Sequence, residues 1–293
     1  MSSRKGKRQY QSNRLKTQKK ADKDNSNYYS QYSNRIGSPT LWEYVFPIYN
    51  CITENNCVNI KALSGTTFYI GNNYFVTANH VLDYNEKYTE LQQIGYLNQV
   101  TSGLVAKYNF EVVQRYPKYD VAIIKCDGII EPEKKPKLFH WHHKGLKYYQ
   151  TIRAKGYPSG YDSTKNYTTP RAFQGTRVGS IQFQKEQIDA NCYELSFHCL
   201  RGLSGACLLD EGYQIHGIII GNNPEELNFF DEMEQQIIEK PGETQKYTYM
   251  RSETVYIGLA VDKTEIFGLH CDEFGKTIHD YLKDNKLHKC HCS

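Results

Sequence analysis

Runs of β-forming residues of strand length, separated by turn signals, recur in this chain from residue 65 to residue 261. That rhythm admits few folds, because many short strands between Gly, Pro, Asn and Asp clusters build antiparallel sandwiches or barrels. The clearest unit is the pair of runs at 65–70 and 74–77 around Gly71-Asn72-Asn73, a hairpin signal. Further runs fall at 104–108, 110–116, 121–125, 149–155, 171–183, 193–197, 206–209, 213–220 and 255–261. Gly175 and Gly179 interrupt the 171–183 run, which reads as a bent strand or a pair. The 293 residues accommodate two barrel-like halves with extensions, and 39% hydrophobic residues, 25 tyrosines among the aromatics, suffice for their cores.

Inside the later runs stands Arg201-Gly202-Leu203-Ser204-Gly205-Ala206-Cys207. Glycines on both sides of a serine permit a tight turn and leave amide N–H groups unshielded by a Cβ. A nucleophilic serine needs an exposed Oγ and such N–H groups ready for the oxyanion that forms on attack. Alone, Gly-x-Ser-Gly is a weak signal, equally at home in a surface turn before a strand. Upstream, the 74–77 run leads into Ala78-Asn79-His80-Val81, and Tyr119-Asp120-Val121-Ala122-Ile123-Ile124 sets a carboxylate just ahead of an apolar strand. Singly, His80 reads as a satisfied strand-end histidine and Asp120 as a capping carboxylate. Asp83 is a second acid near His80, but three residues is too short a span to reach the far side of the ring.

The order His80, Asp120, Ser204 is that of the chymotrypsin-type triad. Thr77-Ala78-Asn79-His80 resembles that family's Thr-Ala-Ala-His, Asp120-Val121-Ala122-Ile123-Ile124 its Asp-Ile-Ala-Leu-Leu, and Gly202-Leu203-Ser204-Gly205 its Gly-Asp-Ser-Gly. The chain thus resembles the trypsin-like serine peptidases over about residues 60–285, in the style of HtrA-like and viral intracellular members. Gly156-Tyr157-Pro158 and the run at 255–261 resemble HtrA-type segments, although no sequence follows for a PDZ domain. The resemblance implies an all-β fold of two antiparallel six-stranded barrels with a C-terminal α-helix. It implies peptide-bond hydrolysis on a protein or peptide substrate, with Ser204 as nucleophile, His80 as base and Asp120 orienting it. The oxyanion hole would be the N–H groups of Gly202 and Ser204. His198, Cys199, Leu200 and Arg201, with Ile219, Ile220 and Gly221, would wall the substrate pocket. His198 stands where trypsin-like enzymes keep an aspartate, so Gln, Glu or an aliphatic residue before the cut is expected instead of Arg or Lys. His216 reads as a packed barrel histidine with a secondary chance of touching that pocket. The alternative is a catalytically silent binding or scaffold protein on the same fold, disfavoured by the joint presence of all three residues.

The expected organisation is a disordered basic tail at 1–40, a first barrel at 42–130, a crossover linker at 131–146, a second barrel at 147–262 and a C-terminal helix and tail at 263–293. Residues 1–24 carry nine Lys or Arg against two Asp. That segment reads first as a solvated tail, with nuclear localisation or a weak, salt-sensitive nucleic-acid contact as the alternatives. The net charge of +4 creates no field demanding a polyanionic partner. No apolar run supports a secretory signal or a membrane span. Val81 replaces the disulfide cysteine that follows the histidine in secreted members, Leu203 replaces the aspartate of their activation switch, and the nine cysteines lack paired spacing. An intracellular protein, cytoplasmic or nuclear, made in working form, is therefore expected.

Phe139-His140-Trp141-His142-His143 lacks an acidic or cysteine partner nearby in sequence, and His288-Lys289-Cys290-His291-Cys292 is crowded at a chain end, so neither metal nor cofactor is expected. Residues 223–245 carry Asn223 as a cap, Pro224, Glu225 and Glu226 in a first turn, and Leu227, Phe230, Met233 and Ile237 at helical spacing. An acidic helical insertion beside the cleft is the expectation.

Overall fold

The computed structural model describes residues 44–55, 57–83, 91–98, 103–129, 140–142, 144–158, 171–236 and 244–287. The basic tail, residues 131–139 of the linker and the His288–Cys292 cluster lie outside them.

Asn72 and Asn73 both take positive φ (50° and 65°), as a two-residue type I′ hairpin turn requires. They join β2 (Cys57–Gly71) to β3 (Tyr74–Ala78). These strands and β1 (Val45–Glu54), β4 (Leu91–Asn98), β5 (Gly103–Tyr108), β6 (Glu111–Tyr116) and β7 (Val121–Lys125) form one antiparallel sheet in the order β5-β4-β1-β2-β3-β7-β6. Seven strands stand where six were expected. The runs legible in the sequence include 65–70 of β2 but neither β1 nor β4, and the outer halves of β1 and β2 mix exposed and half-buried positions and so give no clean alternation.

The second half is a closed six-stranded barrel, ordered β10-β13-β12-β11-β8-β9. Its strands are β8 (Thr151–Gly156), β9 (Arg171–Lys185), β10 (Ile188–Leu195), β11 (Cys207–Asp210), β12 (Ile215–Gln236) and β13 (Thr244–Asp262). Ile152, Ala154, Leu195, Leu203, Leu208, Ile219 and Ala260 are buried in its core. Each apolar CH2 kept from water there contributes about 0.8 kcal/mol.

The acidic insertion is not a helix. Residues 223–236 continue β12 and pair antiparallel with β13, from Asn223↔Ile257 to Gln236↔Thr244. The three-residue apolar spacing suits a helix and puts Leu227, Phe230 and Met233 on alternating faces of a strand; the Tyr- and Thr-rich partner at 244–257 overrides it. Pro224 fits because the β11–β12 pairs end at Cys207↔Ile218, so that edge of β12 has no strand partner there among the described residues.

The C-terminal helix is shorter than expected. Gly275, at φ 61°, ends a 3-10 turn over Asp272–Phe274, and α2 then runs only Ile278–Asp284. Thr277 caps it through the Asp280 N–H at 3.1 Å. A short α1 (Lys263–Phe267) precedes it. Among the described residues, no helix is long and apolar enough to cross a membrane.

Candidate active site

β3 delivers the chain into a 3-10 turn, Asn79–Leu82, that carries His80. Asp120 ends a second 3-10 turn, Pro117–Tyr119, between β6 and β7, and takes a left-handed φ of 51° that Asp tolerates better than most residues. Its carboxylate is buried, with Oδ2 2.7 Å from His80 Nδ1 and Oδ1 accepting the His80 N–H at 2.9 Å. Its carbonyl accepts the Asn79 N–H at 3.0 Å. A carboxylate on Nδ1 keeps the proton there and leaves the Nε2 lone pair outward. Asp83, the rival acid, pairs instead with Arg115 at 2.8 Å.

Burial pulls the His80 pKa down, but the Asp120 hydrogen bond, the Asp120 charge and the Asp83 charge together lift it above its ordinary value. The fold therefore favours the imidazolium. This stabilisation is fully present below about pH 6.5 and is lost as pH rises through the lifted value.

Ser204 occupies a turn between Gly202 (φ 92°) and Gly205 (φ 86°). This turn is bolted to the first sheet by Thr66. The Thr66 N–H donates to the Ser204 carbonyl at 2.8 Å, and its hydroxyl donates to the Gly202 carbonyl at 2.7 Å. The same hydroxyl accepts the Tyr157 N–H at 3.0 Å, and Thr77 Oγ1 donates to the Thr66 carbonyl at 2.8 Å. A Cβ on Gly65 would stand 2.5 Å from Val81 Cγ2 and 3.0 Å from the Ser204 carbonyl oxygen. The residue after His80 and the backbone of Ser204 thus press on one glycine. Among the described residues, the N–H groups of Gly202 and Ser204 have no acceptor, and neither Ser204 Oγ nor His80 Nε2 has a partner.

Thr66 carried no local signal in the sequence; only the fold reveals it. Replacing it with isosteric valine strands the buried Gly202 carbonyl and Tyr157 N–H, at about 1–3 kcal/mol each. Urea unfolding of Thr66→Val should therefore show a loss of about 2–6 kcal/mol, and an unchanged midpoint would refute this inter-barrel role.

Around the pocket positions the picture is mixed. His198 is exposed and stacks on Tyr256, ring centroids 5.4 Å apart at 16°, a partner the sequence reading missed. Arg201 is exposed, Leu200 and Gly221 are half-buried, and Ile220 is 7% exposed. Cys199 and Ile219 are buried in the barrel core. The Asn222 side chain accepts the Cys199 N–H at 2.7 Å and donates to its carbonyl at 2.8 Å, tying the segment before Ser204 to β12.

His216 is fully buried. Its Nε2 lies 3.0 Å from Asp210 Oδ2, and its ring stacks on His142. The fold supplies the acidic partner that the histidine run lacked locally: His142, Asp210 and His216 hold ligand atoms within 4.8 Å of one another. Lys263, also fully buried, places Nζ 3.4 Å from His216 Nδ1. Burial pushes its amine down to about 8, against the attraction of Asp262 and Asp210. An ion here would face that ammonium and would have to break the His216–Asp210 hydrogen bond, so the cluster is balanced as it stands.

Two antiparallel β-halves, a histidine–carboxylate pair on one and a glycine-flanked serine turn on the other, define the double β-barrel fold of chymotrypsin-type peptidases. Residues 65–218, just over half of the chain, match the trypsin-like peptidase domain, and the chain belongs to that family. No curated protein matches the sequence. Among solved structures, the HtrA-type protease AlgW with a decapeptide superposes at TM-score 0.50 and 14% identity, over 76% of this chain and 62% of that one. The Rv3671c protease of M. tuberculosis, active form, gives 0.49 and 17% over 78% and 79%. The MamO protease domain of Magnetospirillum magneticum gives 0.48 and 13% over 78% and 95%. The protein is a peptidase, a hydrolase acting on protein or peptide substrates.

Proposed function

We propose that the protein is a serine endopeptidase working through His80, Asp120 and Ser204. The observation that carries this reading is the buried Asp120 carboxylate 2.7 Å from His80 Nδ1, with Nε2 left without a partner among the described residues. Serine is a weak nucleophile at neutral pH, so Nε2 takes the Oγ proton as Oγ attacks the scissile carbonyl. The negative charge that develops on the carbonyl oxygen is met by the unspent N–H groups of Gly202 and Ser204. The imidazolium, steadied by Asp120, then protonates the leaving amine and an ester on Ser204 remains. Water enters, gives a proton to Nε2, and the acid departs as Ser204 regains its hydrogen. His198 and Tyr256, with Gly221, would receive the side chain before the cut, for which Gln, Glu or an aliphatic residue suits better than Lys or Arg.

A fluorophosphonate probe tests the reading. The native chain should be labelled, and Ser204→Ala and His80→Ala should not. Labelling should rise with pH along a limb centred above His80's ordinary value of about 6.5, because only neutral imidazole accepts the proton. A folded native chain that stays unlabelled would sink the proposal.

A further inference from the structure

The hairpin β6–β7 grips the His80 turn twice. Asp120, at its tip, holds the ring and two backbone N–H groups. Arg115, on β6 opposite Ala122 of β7, holds the rest. Arg115 Nη1 donates to Asn79 Oδ1 at 3.0 Å and to Asp83 Oδ1 at 2.8 Å, and Nη2 donates to the Leu82 carbonyl at 3.2 Å. These acceptors lie just before and just after His80 in the chain. Another carbonyl of the turn, that of Val81, accepts from Ser64 Oγ at 2.5 Å and Gln92 Nε2 at 2.9 Å.

We propose that Arg115 is a positioning residue for His80, its guanidinium fork setting the turn on which the imidazole is delivered while Asp120 sets the ring. This rests on the reading of His80 as general base. An exposed ion pair such as Arg115–Asp83, with side chains 37% and 64% exposed, contributes little by itself. What matters is the planar fork, which reaches three acceptors at once and which a lysine cannot reproduce. Misplacing a catalytic group by about 1 Å lowers rates by roughly a hundredfold, so a clamp on this turn acts on kcat before it acts on binding.

The clamp also sets the charge around His80. Asp120 and Asp83 favour the imidazolium, and Arg115 stands against Asp83 as a cation. From β10, Cys192 faces Asp120 as a neutral thiol that burial pushes up to about 12. Removing Asp83's charge should therefore lower the His80 titration, and removing Arg115's should raise it. A merely structural role would not produce opposite signs.

The test follows His80 by NMR titration in the full chain carrying Ser204→Ala, so that no catalysis is needed, and measures kinetics in the otherwise native enzyme. Asp83→Asn should shift the titration down, Arg115→Gln up, and Arg115→Lys should restore it. Arg115→Gln should lower kcat about tenfold or more with KM within about twofold, and Arg115→Lys should leave kcat reduced. Should Arg115→Gln unfold, Asp83→Asn and Arg115→Lys carry the test. A kcat within about twofold of native in both Arg115 variants, or a His80 titration indifferent to Asp83 and Arg115, overturns the proposal. Opposite titration shifts in a chain that fluorophosphonate never labels would uphold the clamp and reject the base.

Discussion

Replacing Asp120 with asparagine is expected to lower kcat by about ten-thousandfold while leaving the fold intact. An amide at this buried site still accepts the His80 N–H, so the turn keeps its place. Its NH2 group, however, now donates to Nδ1, which drives the imidazole proton to Nε2. A protonated Nε2 cannot accept from Ser204, and the nucleophile is left unactivated. The variant also removes the hydrogen bond and charge that lift the His80 titration, so residual activity should show an acidic limb at lower pH than the native enzyme. Burst-phase ester hydrolysis and the rate of fluorophosphonate labelling read both effects. A loss smaller than about tenfold would mean that Asp120 does not set the tautomer.

Gly205→Ala is expected to produce the largest loss of stability of any single methyl added near the site. The new Cβ would stand 2.0 Å from the Thr66 carbonyl oxygen and 2.4 Å from Thr77 Oγ1, with the Ala78 nitrogen at 3.0 Å. Backbone on the facing strands cannot swing aside as a side-chain tip can. At φ 86° the alanine also takes a left-handed strain of about 1–2 kcal/mol, and overpacking adds about 1–3 kcal/mol. A total of about 2–5 kcal/mol in urea unfolding follows from those two terms. Gly268→Ala, where nothing lies within 4 Å and φ is −76°, is the control and should stay within about 0.5 kcal/mol. Equal midpoints for the two variants would refute the close approach.

Sequence reading succeeded where chemistry leaves a local signature. Asn72-Asn73 announces its own turn, and Gly202 and Gly205 announce theirs. It failed where one segment's fate depends on another. Leu227, Phe230 and Met233 satisfy a helical spacing, but residues 244–257 offer them a strand partner, and no window on 223–245 alone contains that information. Thr66 and Arg115 are ordinary residues on ordinary strands until the fold brings Gly202 and Leu82 to them. Asp210 lies 68 positions from His142 in the chain, so the acid that the histidine run lacked could not be found by spacing.

The ribbon formed by β12 and β13 past Asn222 has two strand edges that no third strand covers among the described residues. Rows of unpaired backbone groups invite strands from other molecules. Between Asn223 and Gln236, β12 carries Glu225, Glu226, Asp231, Glu232 and Glu234 with no lysine or arginine. Two copies meeting edge to edge along this strand would bring like charges together. The acidity that looked like helix capping thus lays five like charges along one edge of the ribbon, where each works against a second β12 pairing beside it.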